Sequence, residues 1–372
     1  MRTIMMHRRQ KSVLLLALTM LIASACSGKP AGGTPLTGTG KTPLVIYAAG
    51  SLILPFGDLV KAFESKYPHI DVQAQYHGSI QVIRQVTELH VPIDVIATAD
   101  TALIPSMMYA TNDATTGQPY ASWYIHFGSN TLALAYRSVS KYAHEITADN
   151  WYTILARPDV KVGIADPRFD AAGYRALMAF ALAQPYYHDT TIFTNMFSGN
   201  FTFPLGIFSD PGLTTITVPE IVETVNGSHL VVRGASIQTI ALLESGDLDY
   251  AFDYESVIRQ HNLDLLHLPD AINLGSYAYN QSYATVQVDL NSQRFATVKP
   301  QFRGARIDYG INIPSNALHP AEAELFIAFL LGPEGRAIMK QDYQPMSAPA
   351  LGDHFDSIPA ALQELCTAAE TP

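Results

Sequence analysis

Two serines early in the chain have the surroundings of an anion-binding pair. Ser51 closes the stretch LVIYAAGS, ahead of a helix expected over about residues 55–66. Ser79 closes IDVQAQYHGS, ahead of a helix expected over about residues 80–89. Each follows a glycine at a strand-to-helix turn. A helix start leaves unpaired backbone N–H groups pointing outward, beside the positive end of the helix dipole. Two such ends meeting in one cleft grip a small oxyanion without any Lys or Arg. Either serine alone is better explained by capping, which contributes about 1 kcal/mol; the matched placement is what points to a ligand.

Other candidates lie further along. Asp166 and Asp170 sit in IADPRFDAAGYRALM, with Asp170 just ahead of a helix start at Ala172-Gly173. Capping or turn formation suits both. A carboxylate aimed at an oxyanion repels it, unless it coordinates the central metal or carries a proton. Ser236 opens the helix in SIQTIALLESG, and Tyr254 follows the strand-like DYAFD with a hydroxyl able to donate to an oxyanion. Adjacent tyrosines such as Tyr186-Tyr187 can hold ferric iron; packing against the domain is the alternative. The chain contains no GxSxG, HExxH or CxxC, and its histidines lack metal-ligand spacing. No enzyme chemistry is expected.

Strand-like and helix-like segments alternate from residue 44 onward. Strands are expected at 44–47, 70–75, 94–98, 131–136, 161–164, 229–232 and 250–252. Helices are expected at 173–184, 237–245 and 321–331, the last stopped by Gly332-Pro333. Such alternation indicates an α/β fold with parallel sheets. The chain is expected to leave a first lobe near residues 127–130 and to return near 306–311. Lobe I is then 44–127 plus 312–372, and lobe II is 128–311. Two extended crossovers join them, with a ligand cleft between.

The N-terminus reads as a secretory leader. Arg2, Arg8, Arg9 and Lys11 form a basic region ahead of an apolar run over 13–22. Ala23-Ser24-Ala25-Cys26 looks like a lipobox, which makes Cys26 the expected lipid anchor to the membrane, with residues 1–26 the signal. Residues 27–43 are rich in Gly, Thr and Pro and read as a flexible tether. Gly38-Thr39-Gly40-Lys41-Thr42 resembles the end of a phosphate loop, but Pro35 stands where the first glycine belongs. The chain of 372 residues has a formal net charge of −10, and removing residues 1–26 takes away only basic groups, leaving −14. Nucleic acid is therefore not an expected partner. Cys366, the other cysteine, is placed in a loose C-terminal tail.

The segments LVIYAAGSLILPF, GSIQVIRQVTEL, IDVIATADTALIP, DPRFDAAGYRALM, LLESGDLDYAFDYESVIRQHNL and LPDAINLG resemble, in order, the tungstate/molybdate-binding proteins of ABC importers, in the branch first associated with archaea. The likeness spans most of residues 44–345. It implies a type II periplasmic-binding-protein fold and an extracytoplasmic, monomeric protein that delivers molybdate or tungstate to an ABC permease, with no cofactor. It implies oxyanion contacts from Ser51, Ser79, the backbone at Ala172, the residue at 236, and Tyr254. In this branch an Asp and a Glu can also coordinate the metal. Asp170 falls at the Asp position, but Ser236 stands at the Glu position, where the family's Arg-Pro-Lys-Glu reads Arg233-Gly234-Ala235-Ser236. A site with Ser236 can bind the oxyanion as a tetrahedral species by hydrogen bonds alone, with Asp170 then a spectator or a fifth ligand; Asp253 and Glu255 are near enough in sequence to compensate for the missing Glu. Sulfate, thiosulfate, phosphate or ferric iron are the alternative ligands, and an exported enzyme on the same scaffold is a more distant alternative.

Overall fold

A computed structural model describes residues 40–291 and 301–369. The expected leader, its Cys26 and the tether up to Thr39 lie outside these residues. Three mixed sheets organise the described chain.

The first sheet has seven strands in the order β16-β15-β4-β14-β3-β1-β2. These are β1 (Thr42–Ala49), β2 (Ile70–His77), β3 (Val95–Thr98), β4 (Tyr124–Asn130), β14 (Ile307–Asn312), β15 (Met346–Asp353) and β16 (Cys366–Ala368). Its β2, β1 and β3 run parallel, while β14 is antiparallel to both of its neighbours. The second sheet has the order β11-β5-β10-β6-β9. Its strands are β5 (Leu132–Tyr136), β6 (Val162–Ala165), β9 (Leu230–Arg233), β10 (Tyr250–Tyr254) and β11 (Asp264–His267). Here β9, β6 and β10 are parallel, and β5 and β11 complete the sheet antiparallel. The parallel sheets expected from alternation are thus parallel triplets set inside mixed sheets.

A third sheet, in the order β13-β12-β8-β7, was not read from the sequence. It consists of β7 (Gly206–Asp210), β8 (Leu213–Pro219), β12 (Val286–Asn291) and β13 (Gln301–Arg303). β12 alternates cleanly, with Val286, Val288 and Leu290 buried, but β7 and β8 are half-exposed and mix Thr and Ser with the apolar residues.

Four helices bear on the site: α1 (Ile53–Lys66), α2 (Ser79–Thr87), α3 (Ala171–Tyr187) and α4 (Ser236–Ser245). Each starts within a few residues of the end of a parallel strand. Each of the two larger sheets has its own aromatic core. Phe56 and Phe63 pack edge-on against Phe326, with Phe127 against Phe56, in one, and Trp151, Phe180 and Phe252 pack on one another in the other. Burying side chains of this size contributes roughly 1.5–3 kcal/mol each. The chain passes from the first sheet to the second at Thr131, between β4 and β5, and returns to the first across residues 304–306.

One expectation is corrected at the C-terminus. Cys366 is buried, and β16 pairs in parallel with β15 through Ala350 and Cys366. The segment is a sheet edge rather than a loose tail, because its backbone finds a free strand to pair with.

Candidate functional site

The register of β1 on β2 fixes the first half of the site. Ala49 is paired with His77 at the end of both strands. Gly50-Ser51 and Gly78-Ser79 therefore leave the sheet abreast, each serine two residues beyond the last pair. Gly78 is required by close approach, since a Cβ there would sit 2.3 Å from the Phe169 carbonyl oxygen. Gly50 is under no such pressure; a Cβ there would only touch Ile237 of α4 at 3.7 Å.

Neither serine acts as a cap. Ser51 lies within the single 3-10 turn Gly50–Leu52 and Ser79 is the first residue of α2; the caps are Ala49 and Gly78, and no side chain caps either start. Instead, Ser79 Oγ accepts the Ala99 N–H at 3.0 Å, and Ser51 Oγ shares a hydrogen with the Tyr309 hydroxyl at 2.8 Å. Ser79 keeps its own O–H free to donate. Both residues are buried.

The opposite half rises from the ends of β6, β9 and β10, where Ala165 pairs with Arg233. Asp170 caps α3. Its Oδ1 accepts the Ala172 N–H at 2.9 Å and its Oδ2 accepts the Ser236 N–H at 3.0 Å. One carboxylate thus ties together the starts of α3 and α4. Burial raises the Asp170 pKa, and the two N–H groups oppose that rise. The Ala172 N–H, expected to face an oxyanion, is held by Asp170 in this arrangement. Asp166 turns aside to pair with Arg168, Oδ2 to Nη2 at 2.5 Å.

Tyr254 ends β10 and is buried. Its hydroxyl oxygen accepts from Arg175 Nη1 at 2.6 Å, and the same Nη1 donates to the Ala99 carbonyl at 2.5 Å. Arg175 Nη2 lies 3.3 Å from the Asp100 carboxylate, which also accepts the Tyr174 hydroxyl. Burial works against the Arg175 charge, but Tyr254, Asp100 and Tyr174 outweigh it, and the pKa is raised. Where the sequence pointed only to neutral donors, a guanidinium stands among the candidate residues. Its charge is tolerated because Asp100, from the other sheet, compensates it.

These contacts form a circuit between the two serines. Ser51 meets Tyr309, whose ring packs edge-on against Tyr254 at 6.2 Å. Tyr254 meets Arg175, Arg175 meets Ala99 O, and Ala99 N meets Ser79. The Ile80 and Gln81 N–H groups reach the Phe169 carbonyl at 3.1 and 3.4 Å. The two sheet-built halves are therefore closed on each other, with Ser51, Ser79, Asp170, Ser236 and Tyr254 all buried around the closure.

Arg175 and Tyr309 escaped the sequence reading, and Asp253 entered it only as an acid near enough in sequence to compensate for the missing Glu. Arg175 did carry a signal, being the only charged residue in a helix whose residues 171–183 are all buried. Asp253 is likewise the single charge in the buried strand YAFDY. Tyr309 lies in β14, far along the chain, and only the assembled sheet brings it to Ser51.

The iron-like pair falls elsewhere. Tyr186-Tyr187 ends α3, about 25 Å along the helix from Asp170. Tyr187 donates to the Ala148 carbonyl and accepts from Trp151 Nε1, which accounts for it by packing. Among the described residues, no cluster of three or more His, Cys, Asp or Glu is arranged to hold a metal ion.

Comparison with known proteins bears on the whole region. Residues 44–343 match the family described as bacterial extracellular solute-binding protein. An uncharacterized solute-binding protein of Methanoculleus marisnigri is 34% identical over 358 residues, which cover 95% of this chain and 96% of that one. A molybdate/tungstate-binding protein, WtpA, of Thermococcus kodakarensis is 33% identical over 372 residues, covering 97% and 98%. Among solved structures, the periplasmic molybdate-binding protein of Azotobacter vinelandii superposes with a TM-score of 0.51 at 14% identity, over 82% of this chain and 99% of that one. That last likeness is one of fold, the two-lobed architecture of periplasmic binding proteins.

Proposed function

The chain belongs to the bacterial extracellular solute-binding protein family, and from that premise we propose that it captures molybdate or tungstate between its lobes and delivers the anion to an ABC importer. The family and its relatives bind solutes rather than transform them. The observation that carries the ligand reading is the pair of abreast, buried serines whose hydroxyls are not spent as helix caps. The binding of molybdate and tungstate by a relative alignable over nearly the full chain supports it.

In this reading the oxyanion takes hydrogen bonds from the hydroxyls of Ser51, Ser79, Ser236 and Tyr254. The backbone N–H groups at the starts of α3 and α4, at Ala172 and Ser236, are the further donors. A direct bond from Asp170 to the central metal requires Asp170 to release those two N–H groups, which then turn to the anion's own oxygens. Hydrogen bonds to a charged partner contribute roughly 1.5–3 kcal/mol each. About five to seven of them, less desolvation and closure, support submicromolar binding. Arg175 does not need to touch the anion; it ties Tyr254 to Ala99 and Asp100 and so holds the closed form. Lobe I is taken as 44–127 plus 312–372 and lobe II as 128–311. The protein works as a monomer, anchored outside the cytoplasm by a lipid on Cys26 and docking on a permease when closed.

Calorimetry on ligand-free protein with molybdate, tungstate, sulfate, thiosulfate, phosphate and Fe(III) tests this. Binding heat with the two group-six oxyanions, and weaker or no heat with the others, is the expected result. No heat with either group-six anion removes the assignment.

A further inference from the structure

One buried acid is left over once the site has been described. Asp253, at the end of β10, is 0% exposed. Its Oδ1 accepts the Tyr254 N–H at 2.7 Å, while its Oδ2 is buried and, among the described residues, makes no close hydrogen bond, the Ser236 hydroxyl standing off beside the carboxyl. A buried carboxyl oxygen without a partner costs about 1–3 kcal/mol or more, and such a cost is retained where a ligand or proton completes the group.

The surroundings say which. Asp253 lies beside the Ser236 hydroxyl and within electrostatic reach of Asp170, and Tyr309 feels its charge in turn. All three are residues of the anion site. Position 236 is where the resembling family carries a Glu. Here a small Ser stands there, and the Asp253 carboxyl lies beside it.

We propose that Asp253 is the second carboxyl group of the oxyanion site and that, protonated on Oδ2, it donates a hydrogen bond to an oxygen of the bound dianion. The inference deepens the molybdate/tungstate reading and rests on it. An ionised Asp253 would repel the dianion across a short, dry gap; a protonated one supplies a further neutral donor. Burial pushes the Asp253 pKa up to about 8, with Asp170 pushing the same way and the Tyr254 N–H and Ser236 hydroxyl opposing. The other groups facing it are Tyr309 on β14, Tyr254 on its own strand and, beyond Tyr254, Arg175 on α3. Tyr254 and Tyr309 are held neutral by burial, and Arg175 stays charged. From β5 it is paired with Ala133, which does not titrate.

The direct test is proton uptake during binding, read by calorimetry of the wild-type chain with tungstate in buffers of different ionisation heat. Tungstate itself carries no proton between pH 6.5 and 9.5 as this experiment uses it. About three-quarters of a proton should be taken up per anion at pH 8.5, and close to none at pH 6.5. Between pH 7 and 9.5 the Kd should weaken roughly 30-fold. In Asp253→Asn, whose amide donates at every pH, both the uptake and this weakening should vanish. Should that variant fail to fold, the infrared band of a protonated carboxyl, gained on binding to the wild type at pH 8.5, gives the same answer. Binding with no uptake, or with proton release as expected of an ionised carboxylate on the metal, overturns the proposal. No binding heat at pH 6.5 overturns the molybdate/tungstate reading instead.

Discussion

The two larger sheets offer the site the same topological feature, the C-terminal edge of three parallel strands, and furnish it with different chemistry. The edge of β2, β1 and β3 presents two serine hydroxyls set level by strand register. The edge of β9, β6 and β10 presents two buried acids and, from α3, a buried guanidinium. The first wall meets the site with neutral serines held by the sheet itself, its Asp100 being spent on Arg175 across the gap. The second is ionic and held by side chains that satisfy one another across the lobes. An anion site needs donors that are cheap to bury, which the first wall supplies. It also needs a closed form of defined stability, which the Arg175–Asp100 contact and the Asp170 bridge supply.

If that division is right, substitutions in the two walls should have different signatures. The largest effect is expected in the ionic wall. Arg175→Leu takes the buried cation from a half-buried Asp100 and the donor from Tyr254, and loss of one partner of a fully buried pair costs about 3–5 kcal/mol. Denaturant unfolding should show that loss; a change below about 1 kcal/mol would mean that the guanidinium is not the tie between lobes.

The neutral wall should respond in affinity more than in stability. Ser51→Ala and Ser79→Ala should each weaken tungstate binding roughly tenfold or more, the weight of a hydrogen bond to a charged group. Each also leaves one buried partner unpaired, the Tyr309 hydroxyl or the Ala99 N–H, so unfolding should show a loss of about 1–3 kcal/mol, smaller than that of Arg175→Leu. Unchanged affinity in both would erase the distinction between the walls.

A third expectation sharpens the ionic side through pH. The folded pKa of Asp253 is raised to about 8, against about 4 in the unfolded chain. The folded state therefore binds more protons in this window, and stability falls as pH rises from about 4 to 8. Asp253→Asn removes that dependence. Its thermal midpoint, compared with the wild type, should gain steadily over this range and level off above it; a constant difference would mean that Asp253 does not titrate with folding.

The smallest effect belongs outside both walls. Tyr187→Phe loses the contacts to Ala148 and Trp151 at the far end of α3 and should cost about 1 kcal/mol while leaving tungstate affinity alone. A loss of ligand binding there would reopen the tyrosine-pair reading.

The same contrast explains what could be read from the sequence. The first wall is local: a strand, a glycine, a serine and a helix follow one another, and two copies of that order announce the turn. The parallel strands and site helices were legible for this reason, and Ser51, Ser79, Asp170, Ser236 and Tyr254 all come to the closure. The second wall is made by distance along the chain. Arg175 meets Ala99 from 76 residues away, and Ser51 meets Tyr309 from 258. No spacing rule encodes such pairs; only a lone charge in a buried helix or strand hints at them. The third sheet was hidden for another reason: β12 alternates, but its partners β7 and β8 are half-exposed and mix polar with apolar residues.

The most direct measurement is a crystal of the protein with tungstate, its metal located by anomalous scattering. One peak is predicted, ringed by the hydroxyls of Ser51 and Ser79 on one side and by Ser236, Tyr254 and Asp253 on the other. A saturated crystal whose peak lies away from Ser51 and Ser79 would contradict the account.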